Sequence, residues 1–323
     1  MDLISVIVPC YNEEEVLPLF YDEITRVLNS IADIDYEILL VNDGSRDKTL
    51  QIMKDYAQKD SRIKYISFSR NFGKEAAMYA GLQNAKGDYV VILDADLQHP
   101  PSLIPKMYEI ITTTDYDCVG SRRTDRAHEP RIRSYFARKF YKIVNRISQT
   151  EIVDGAHDFR FMSRQMVDAI LTMTEYNRFS KGIFSWVGFK TKYLEMKNAE
   201  RAAGTTSWSF WKLFIYAIDG IVAFSTAPLW LSIILGAVFM IVGILGTIFA
   251  IVDKIISLYN WIPYLSKHAF GTLLISTMLF LSGLVMCFMG ITSIYLSKIY
   301  MEVKNRPVYI VKESNVEKTD TEV

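Results

Sequence analysis

Two carboxylates, Asp94 and Asp96, directly follow the apolar run 90–93. A strand of this composition is buried, so at least one of these carboxylates must meet a cation or a ligand hydroxyl where the strand ends. Carboxylate, water and phosphate oxygens are the usual ligands of Mg²⁺ and Mn²⁺, and Gln98 offers a neutral oxygen nearby. The alternative is that both aspartates only cap the next helix. The position favours a divalent cation that neutralises a diphosphate. The four histidines lack metal-ligand spacing, so His99 is not predicted as a ligand.

A third carboxylate, Asp43, also follows an apolar run, in the segment Asn-Asp-Gly-Ser at 42–45. Gly44 and Ser45 are typical of a turn and a helix N-cap, with a helix beginning near Lys48. That interpretation explains the glycine and the serine. It leaves Asp43 free to accept a hydrogen bond from the edge of a nucleotide base.

The elements that must position these groups alternate along the first 120 residues, where β-rich apolar runs are separated by amphipathic stretches. The predicted strands are Ile4–Val8, Glu37–Val41, Ile63–Phe68, Tyr89–Leu93 and Asp117–Gly120. This rhythm predicts an α/β fold with a parallel sheet, whose ligands bind beyond the carboxyl ends of the strands. Polar clusters follow three strands and should meet at one crevice. Neither a dinucleotide fingerprint nor a P-loop is present to fill it.

The C-terminal third contains two long runs without a charged residue, 220–252 and 269–297. A membrane helix needs about 20 apolar residues, so the two runs predict a helical hairpin that spans a bilayer. Lys and Arg flank the outer ends of the hairpin, and the positive-inside rule then places the N-terminal domain in the cytoplasm of a multi-pass membrane protein. Glycines at 236, 243 and 246 would allow close helix packing, which leaves self-association open.

Composition excludes several classes of protein. The 323 residues include 36 Lys and Arg against 36 Asp and Glu, with 50% hydrophobic residues. This composition excludes a disordered tail and a basic protein that coats nucleic acid.

Positive charge is concentrated in 122–146, which contains nine basic residues and two acidic ones. Apolar residues recur there at helical spacing, so 133–148 is predicted as an amphipathic helix on an anionic membrane face, with a soluble helix as the alternative. No RRM-type motif accompanies the charge, so nucleic acid is not an expected partner.

Four motifs, in this order, resemble those of the family 2 glycosyltransferases. They are Val-Pro-Cys-Tyr-Asn-Glu at 8–13, Val-Asn-Asp-Gly-Ser at 41–45, Asp-Ala-Asp-Leu-Gln-His-Pro-Pro at 94–101 and Asp-Phe-Arg at 158–160. Within that family the chain resembles the polyprenyl-phosphate glycosyltransferases, such as bacterial undecaprenyl-phosphate glucosyltransferases and dolichol-phosphate mannose synthases. The resemblance covers nearly the whole chain. It implies a GT-A fold, a nucleotide-sugar donor, Mg²⁺ or Mn²⁺, and inverting transfer to a membrane lipid phosphate.

The resemblance also implies roles for individual residues. Those expected to hold the nucleotide sugar are Pro9, Tyr11, Asn12, Glu13, Asp43, Lys74, Asp94, Ala95 and Asp96. Those expected to hold the metal are Asp94, Asp96 and Gln98. Those expected to bind the lipid phosphate are Arg122, Arg138 and Arg201, although spacing alone does not favour Arg138 over Arg133 or Lys142. Asn42 stands where the family usually has Asp, and His157 where close relatives have Gly.

Asp158 and Asp96 are the catalytic residues that the resemblance implies. A phosphate monoester has a second pKa of about 6, so the acceptor is already largely a dianion at neutral pH and needs little help from a base. A sugar hydroxyl would need one. Asp158 is therefore interpreted as a carboxylate that positions the acceptor or the metal, and only secondarily as a proton acceptor. A surface ion pair with Arg160 is the alternative.

The predicted organisation is a cytoplasmic GT-A domain over 1–208, an interfacial helix over 209–225, transmembrane helices over 226–252 and 269–297 joined by a loop over 253–268, and a cytoplasmic tail over 298–323. The expected enzyme is a hexosyltransferase that moves a sugar, glucose first, from UDP-sugar to undecaprenyl phosphate. A flippase and a lumen-facing glycosyltransferase would then use the lipid-linked sugar for glycan modification. UDP-N-acetylglucosamine or GDP-mannose as donor stays open, as does a non-catalytic membrane scaffold. A processive polysaccharide synthase is disfavoured because no Gln-x-x-Arg-Trp motif is present.

Overall fold

The computed structural model describes residues 1–123, 145–146, 153, 155–196, 218, 221–222, 225–258 and 267–317. The strands are β1 (Asp2–Cys10), β2 (Ile34–Asn42), β3 (Ile63–Phe68), β4 (Tyr89–Ile92), β5 (Cys118–Arg123), β6 (Ala156–Ser163), β7 (Thr191–Met196) and β8 (Val311–Ser314). The helices are α1 (Leu17–Leu28), α2 (Thr49–Lys59), α3 (Lys74–Asn84), α4 (Ile104–Thr113), α5 (Arg164–Leu171), α6 (Ser180–Trp186), α7 (Ala227–Leu258) and α8 (Lys267–Val303), with a 3-10 turn at Pro101–Leu103. The predicted α/β fold is confirmed.

The eight strands form one sheet in the order β7-β5-β6-β4-β1-β2-β3-β8. The central strands β4, β1, β2 and β3 run parallel, as predicted. Two strands beyond the five predicted ones make the sheet mixed: β6 runs antiparallel to β4 and β5, and β8 runs antiparallel to β3. Antiparallel β6 inserts between two parallel strands, so its amino-terminal end lies beside the carboxyl ends of β4 and β5. This reversal brings 156–158 to the edge where the other polar clusters lie.

Apolar spacing explains how the helices cover the sheet. In α1 the buried residues Leu17, Phe20, Ile24, Val27 and Leu28 recur three or four positions apart and form one face. That face joins the core that lies against β1 and β2. The amphipathic pattern in the sequence is therefore sufficient to orient this helix.

Helix α3 is buried along most of its length and lies unusually close to the sheet. A Cβ atom at Gly81 would lie 2.2 Å from Cγ2 of Ile7 on β1, so only glycine permits this approach. Because α3 begins at Lys74, its close packing sets where that side chain stands relative to the ends of β1 and β4.

The C-terminal half of the chain contains a second compact unit, 224–304, separate from the unit formed by 1–223 and 305–323. Its helices α7 and α8 contain segments long and apolar enough to cross a membrane, Ala227–Gly246 and Thr277–Val303. None of the residues in these two segments' most apolar windows is buried. A soluble core helix would bury them, so the exposed apolar surface fits a bilayer better than water.

The segment predicted as a tail over 298–323 contains secondary structure. Residues up to Val303 continue α8, and residues 311–314 form β8, which adds to the edge of the sheet beside β3. The predicted amphipathic helix at 133–148 and interfacial helix at 209–225 lie almost entirely outside the described residues. Half of the predicted loop at 253–268, residues 259–266, also lies outside them; the other half is not loop, because 253–258 continue α7 and 267–268 begin α8.

Candidate active site

The turns after β1 and β2 are joined to each other by hydrogen bonds. The backbone N–H of Asn12 donates to Oγ of Ser45 over 2.9 Å, and its side-chain oxygen accepts from the N–H of Arg46 over 2.9 Å. The N–H of Glu13 donates to the Thr49 hydroxyl over 2.8 Å. Asn12 has a left-handed backbone with φ of 57°. The two turns therefore form one wall at the carboxyl edge of the sheet, where Tyr11 is left 44% exposed.

Asp43 is buried and holds a neighbouring loop. Its carboxylate accepts from the backbone N–H groups of Phe72, over 2.6 Å, and Gly73, over 3.0 Å. Burial raises the pKa of Asp43, and these two hydrogen bonds oppose that rise. The structure thus gives Asp43 a positioning role over 72–73, while its predicted contact with a nucleotide base stays a prediction.

Two neighbours of Asp43 explain the sequence of this turn. Gly44 has φ of +68°, and a Cβ atom there would lie 2.5 Å from the backbone carbon of Arg70, so the turn requires glycine. The amide of Asn42 donates to Oγ of Ser67 over 2.9 Å and accepts from the N–H of Ser45 over 3.0 Å. An amide serves both partners without placing a second buried carboxylate beside Asp43.

Lys74 joins two predicted site carboxylates from different strands. Its Nζ lies 2.7 Å from Oδ1 of Asp94, beyond β4, and 2.7 Å from Oδ2 of Asp158, on β6. Burial alone would lower the pKa of Lys74, but the two aspartates raise it above its ordinary value. Its side chain as a whole remains 39% exposed.

The same lysine fixes the charge of Asp158. Burial alone would raise the pKa of Asp158, but Lys74, with smaller contributions that include Lys181 and Arg160, holds it well below its ordinary value. Arg160 itself is 1% exposed, with its guanidinium 4.6 Å from the ring centre of Phe184. Its ion pair with Asp158, the alternative interpretation, is not among the salt bridges of the described residues; the partner of Asp158 there is Lys74.

Asp94 and Asp96 form a group with His99, a residue that its spacing in the sequence did not predict as a metal ligand. One potential ligand atom from each residue lies within 4.8 Å of the others. His99 is 5% exposed, and neither of its ring nitrogens has a hydrogen-bond partner within the described part of the chain. Burial lowers the pKa of His99, which favours the neutral imidazole that binds metals. These residues therefore fit a divalent cation.

The backbone between the two aspartates and the histidine is tightly turned. Leu97 has a left-handed conformation with φ of 58°, and the N–H of Gln98 donates to Oδ1 of Asp96 over 3.1 Å. This local turn brings His99, three residues beyond Asp96, back to the carboxylates. A non-helical spacing of this kind has no recognisable metal-ligand pattern in the sequence.

Glu75 is a further acidic residue of the site that sequence reasoning missed. It follows Lys74 on the first turn of α3, and its Oε2 accepts from the N–H and the hydroxyl of Ser180 at the start of α6. Burial, with a smaller contribution from the charge of Asp158, raises the pKa of Glu75 to about 7. Its partner lies 105 positions away along the chain, so no local pattern indicates the contact.

The predicted site residues divide into three groups. The first group lies around the carboxyl ends of β1, β2 and β4 and the amino-terminal end of β6. Its members include Asn12, Asp43, Asp94, Asp96 and Asp158, with Lys74 in contact with Asp94 and Asp158. Arg122 lies near the end of β5, opposite Ala156, and is exposed on this same edge. Arg138 and Arg201, with Arg133 and Lys142, lie outside the described residues.

The mixed α/β sheet, with an acidic cluster at the carboxyl ends of its strands, matches the GT-A class of glycosyltransferases. The chain belongs to the family described as glycosyl transferase family 2, whose model matches residues 5–171. It is a glycosyltransferase, and the family predicted from the four motifs is confirmed.

Individual relatives resemble almost the entire chain. Glycosyltransferase CsbB of Bacillus subtilis is 42% identical over 321 residues, which cover 98% of this chain and 94% of that protein. A prophage bactoprenol glucosyl transferase homolog of Escherichia coli is 40% identical over 309 residues, which cover 96% of this chain and 98% of that protein. Glucosyl-3-phosphoglycerate synthase of Mycobacterium tuberculosis, solved with Mn²⁺ and UDP-glucose, is 19% identical, with a TM-score of 0.43 over 68% of this chain and 77% of that one.

Proposed function

We propose that this protein transfers glucose from UDP-glucose to undecaprenyl phosphate at the cytoplasmic face of the cell membrane, with release of UDP. The cluster formed by Asp94 and Asp158 around Lys74, with Asp96 beside Asp94, carries this proposal. Its chemistry suits a donor diphosphate that must be neutralised and an acceptor that must be aligned. Names of relatives such as the bactoprenol glucosyl transferase homolog support the lipid acceptor and the glucosyl group.

The state of Asp158 supports a positioning role over that of a general base. A carboxylate whose pKa Lys74 keeps well below the ordinary range has little tendency to accept a proton. The proposed acceptor, a phosphate monoester, is largely a dianion at neutral pH and has no proton that must leave. An acceptor hydroxyl would need the opposite arrangement, a carboxylate with a raised pKa.

The reaction then requires alignment and charge neutralisation more than proton transfer. A phosphate oxygen of the acceptor forms a bond to the anomeric carbon of the sugar while the bond from that carbon to the UDP oxygen breaks. Attack from the face opposite UDP inverts the configuration, so an α-linked donor gives a β-linked product. The Lys74 ammonium group, which lies between two carboxylates, can stabilise phosphate charge as the donor arrives.

A divalent cation fits beside this lysine. Asp94, Asp96 and His99 would hold it, with Gln98 as a further oxygen donor, and it would neutralise the charge that develops on the leaving diphosphate. Two oxygens and one imidazole nitrogen favour Mn²⁺ over Mg²⁺, which strongly prefers oxygen ligands.

A lipid acceptor requires a membrane, and two features favour one. The apolar helices α7 and α8 expose large side chains along segments of 20 and 27 residues. Arg122 stands exposed on the site edge, at the start of the most basic part of the chain, where it can attract an anionic headgroup.

Transfer of labelled sugar into a lipid extract tests the proposal. The purified full-length protein is incubated with undecaprenyl phosphate, Mn²⁺ and one of UDP-glucose, UDP-N-acetylglucosamine or GDP-mannose. We expect a labelled lipid with UDP-glucose that disappears in EDTA and in Asp96→Asn, while Asp55→Asn, an exposed carboxylate on α2, retains full activity.

Each other outcome has a defined meaning. Transfer from UDP-N-acetylglucosamine or GDP-mannose alone would keep the reaction and change the sugar. An α-linked product would contradict single displacement. Full activity in Asp96→Asn would contradict the assigned site, and absence of transfer from every donor would favour a non-catalytic scaffold.

A further inference from the structure

The chain that follows α8 returns to the catalytic sheet as a short strap, defined here as residues 305–317. Its strand β8 pairs antiparallel with β3, with Ile66 opposite Ser314 and Phe68 opposite Val311. The strap belongs to the same compact unit as 1–223. It therefore completes the edge of the sheet nearest to α3.

Side-chain contacts hold the strap at several points beyond the ladder. Asn315 accepts from the N–H of Tyr65 over 2.6 Å and donates to the carbonyl of Ile63 over 3.2 Å. Glu313 pairs with Lys54 of α2 over 2.6 Å. A strand that only protected the sheet edge would need no more than the backbone hydrogen bonds to β3. The additional side-chain contacts indicate that the strap has a defined position on the sheet.

The strap also contributes to an aromatic cluster. Tyr309 stacks on Phe68 with ring centres 4.8 Å apart and planes at 22°, and Phe68 meets the edge of Phe72 at 5.8 Å and 89°. The Tyr309 hydroxyl donates to the side chain of Gln83 on α3 over 2.8 Å, and burial raises the pKa of Tyr309 to about 12. The strap thus packs on Phe68 at the start of the loop 68–73, and Phe68 in turn contacts Phe72 near its end.

That loop leads directly to the site. Asp43 accepts hydrogen bonds from the N–H groups of Phe72 and Gly73. The next residue along the chain is Lys74, which contacts Asp94 and Asp158. Phe72 and Tyr309 are both partly buried against the same core cluster, which includes Phe68. A continuous set of contacts therefore runs from the strap to the groups assigned to the donor.

We propose that the strap is a positioning element of the donor site and that Tyr309 is its positioning residue. The stack holds Phe72, so that the loop 72–73 and Lys74 are already placed when the nucleotide sugar binds. Ordering before binding lowers the entropic cost of binding. This inference rests on the proposed function, because it assigns Asp43 and Lys74 to the donor.

Two measurements on three variants of the full-length protein test it. Tyr309→Ala removes the stack, Tyr309→Phe keeps the ring and loses only the hydroxyl, and Lys312→Ala changes an exposed residue of the same strap. We expect faster amide exchange over 69–74 and a KM for UDP-glucose raised about tenfold in Tyr309→Ala, comparable to the loss of one well-placed aromatic pair. The value of kcat should change less than about twofold, and Tyr309→Phe and Lys312→Ala should match the wild type.

The outcomes separate the inference from the proposed function. Amide exchange needs no substrate, so it decides whether the strap orders the loop even if UDP-glucose is not the donor. If amide exchange over 69–74 and the KM for UDP-glucose in Tyr309→Ala equal those of the wild type, the inference is overturned, while the proposed function stands. Should Tyr309→Ala fail to fold, Tyr309→Leu keeps the buried apolar volume without the flat ring, and wild-type exchange and KM there would overturn the inference equally.

Discussion

Replacing Lys74 with methionine should impair the enzyme more than any other single loss of positive charge within the described residues. The ammonium group lies 2.7 Å from a carboxylate oxygen of Asp94 and of Asp158. Methionine preserves much of the length of the side chain and removes the charge. The two aspartates would then face each other, and the donor diphosphate, without their shared counter-ion.

The size of the effect follows from the geometry. With an effective dielectric constant of about 20 and charge centres about 4 Å apart, each pair would contribute about 4 kcal/mol. Lys74 is 39% exposed, and screening by solvent reduces this to roughly 1–2 kcal/mol per pair. Two pairs together correspond to a loss of about a hundredfold in kcat/KM.

The pH dependence should change in a defined direction. The fold lowers the pKa of Asp158, so the stability contributed by its ionised form is present above the unfolded pKa and is lost as the pH falls through the folded one. Without Lys74, burial dominates and the pKa of Asp158 rises. The acid limb of the kcat/KM profile should therefore move toward neutral pH in Lys74→Met.

Steady-state transfer between pH 5 and 9 measures both effects. Lys106→Met, an exposed lysine on α4, serves as the matched control, and Lys74→Arg tests whether charge alone suffices. A kcat/KM for Lys74→Met within about threefold of the wild type, with an unmoved acid limb, would refute the reasoning. Thermal unfolding confirms that each variant is folded.

Three further changes should have specific results. His99→Ala should weaken Mn²⁺ binding about tenfold or more in a titration by electron paramagnetic resonance, and an unchanged affinity would exclude His99 as a ligand. The pKa of Glu75 is raised to about 7, so burial of this group makes the folded state less stable as the pH rises from about 4.5 to 7. Glu75→Gln should remove roughly 3 kcal/mol of that dependence, and a parallel thermal profile for variant and wild type would contradict the assigned pKa. Gly44→Ala places a Cβ atom 2.5 Å from the backbone of Arg70 and should lower the thermal midpoint by several degrees, whereas an unchanged midpoint would show that the turn can adapt.

Much of the parallel part of the sheet could be predicted because its signals are local. The predicted strand Ile63–Phe68 matches β3 in both bounds, and the predicted Tyr89–Leu93 differs from β4 by one residue. Continuous apolar runs that end in polar clusters indicate buried parallel strands, and the carboxyl ends of such strands share one edge. The convergence of Asp43, Asp94 and Asp96 follows from that rule.

Other features depend on partners that are remote in the sequence. Strand β8 is only four residues long, and its pairing partner β3 lies about 250 positions earlier in the chain. The raised pKa of Glu75 requires Ser180 and burial, neither of which a single segment reveals. His99 lies beside Asp94 and Asp96 because the backbone makes a left-handed turn at Leu97, and the residues of this turn do not indicate that conformation.

The sequence by itself determined the chemistry available to this protein: which carboxylates end buried strands, where the charge-free helices lie, and which family the motifs resemble. Only the tertiary structure decided how that chemistry is used, because pKa values depend on what surrounds a group in space. Lys74 lies 20 positions from Asp94 and 84 from Asp158 along the chain. The antiparallel direction of β6 beside β4 places Asp158 at the same edge of the sheet as the other two. That contact keeps Asp158 ionised, which is the physical basis for assigning it to alignment of the acceptor.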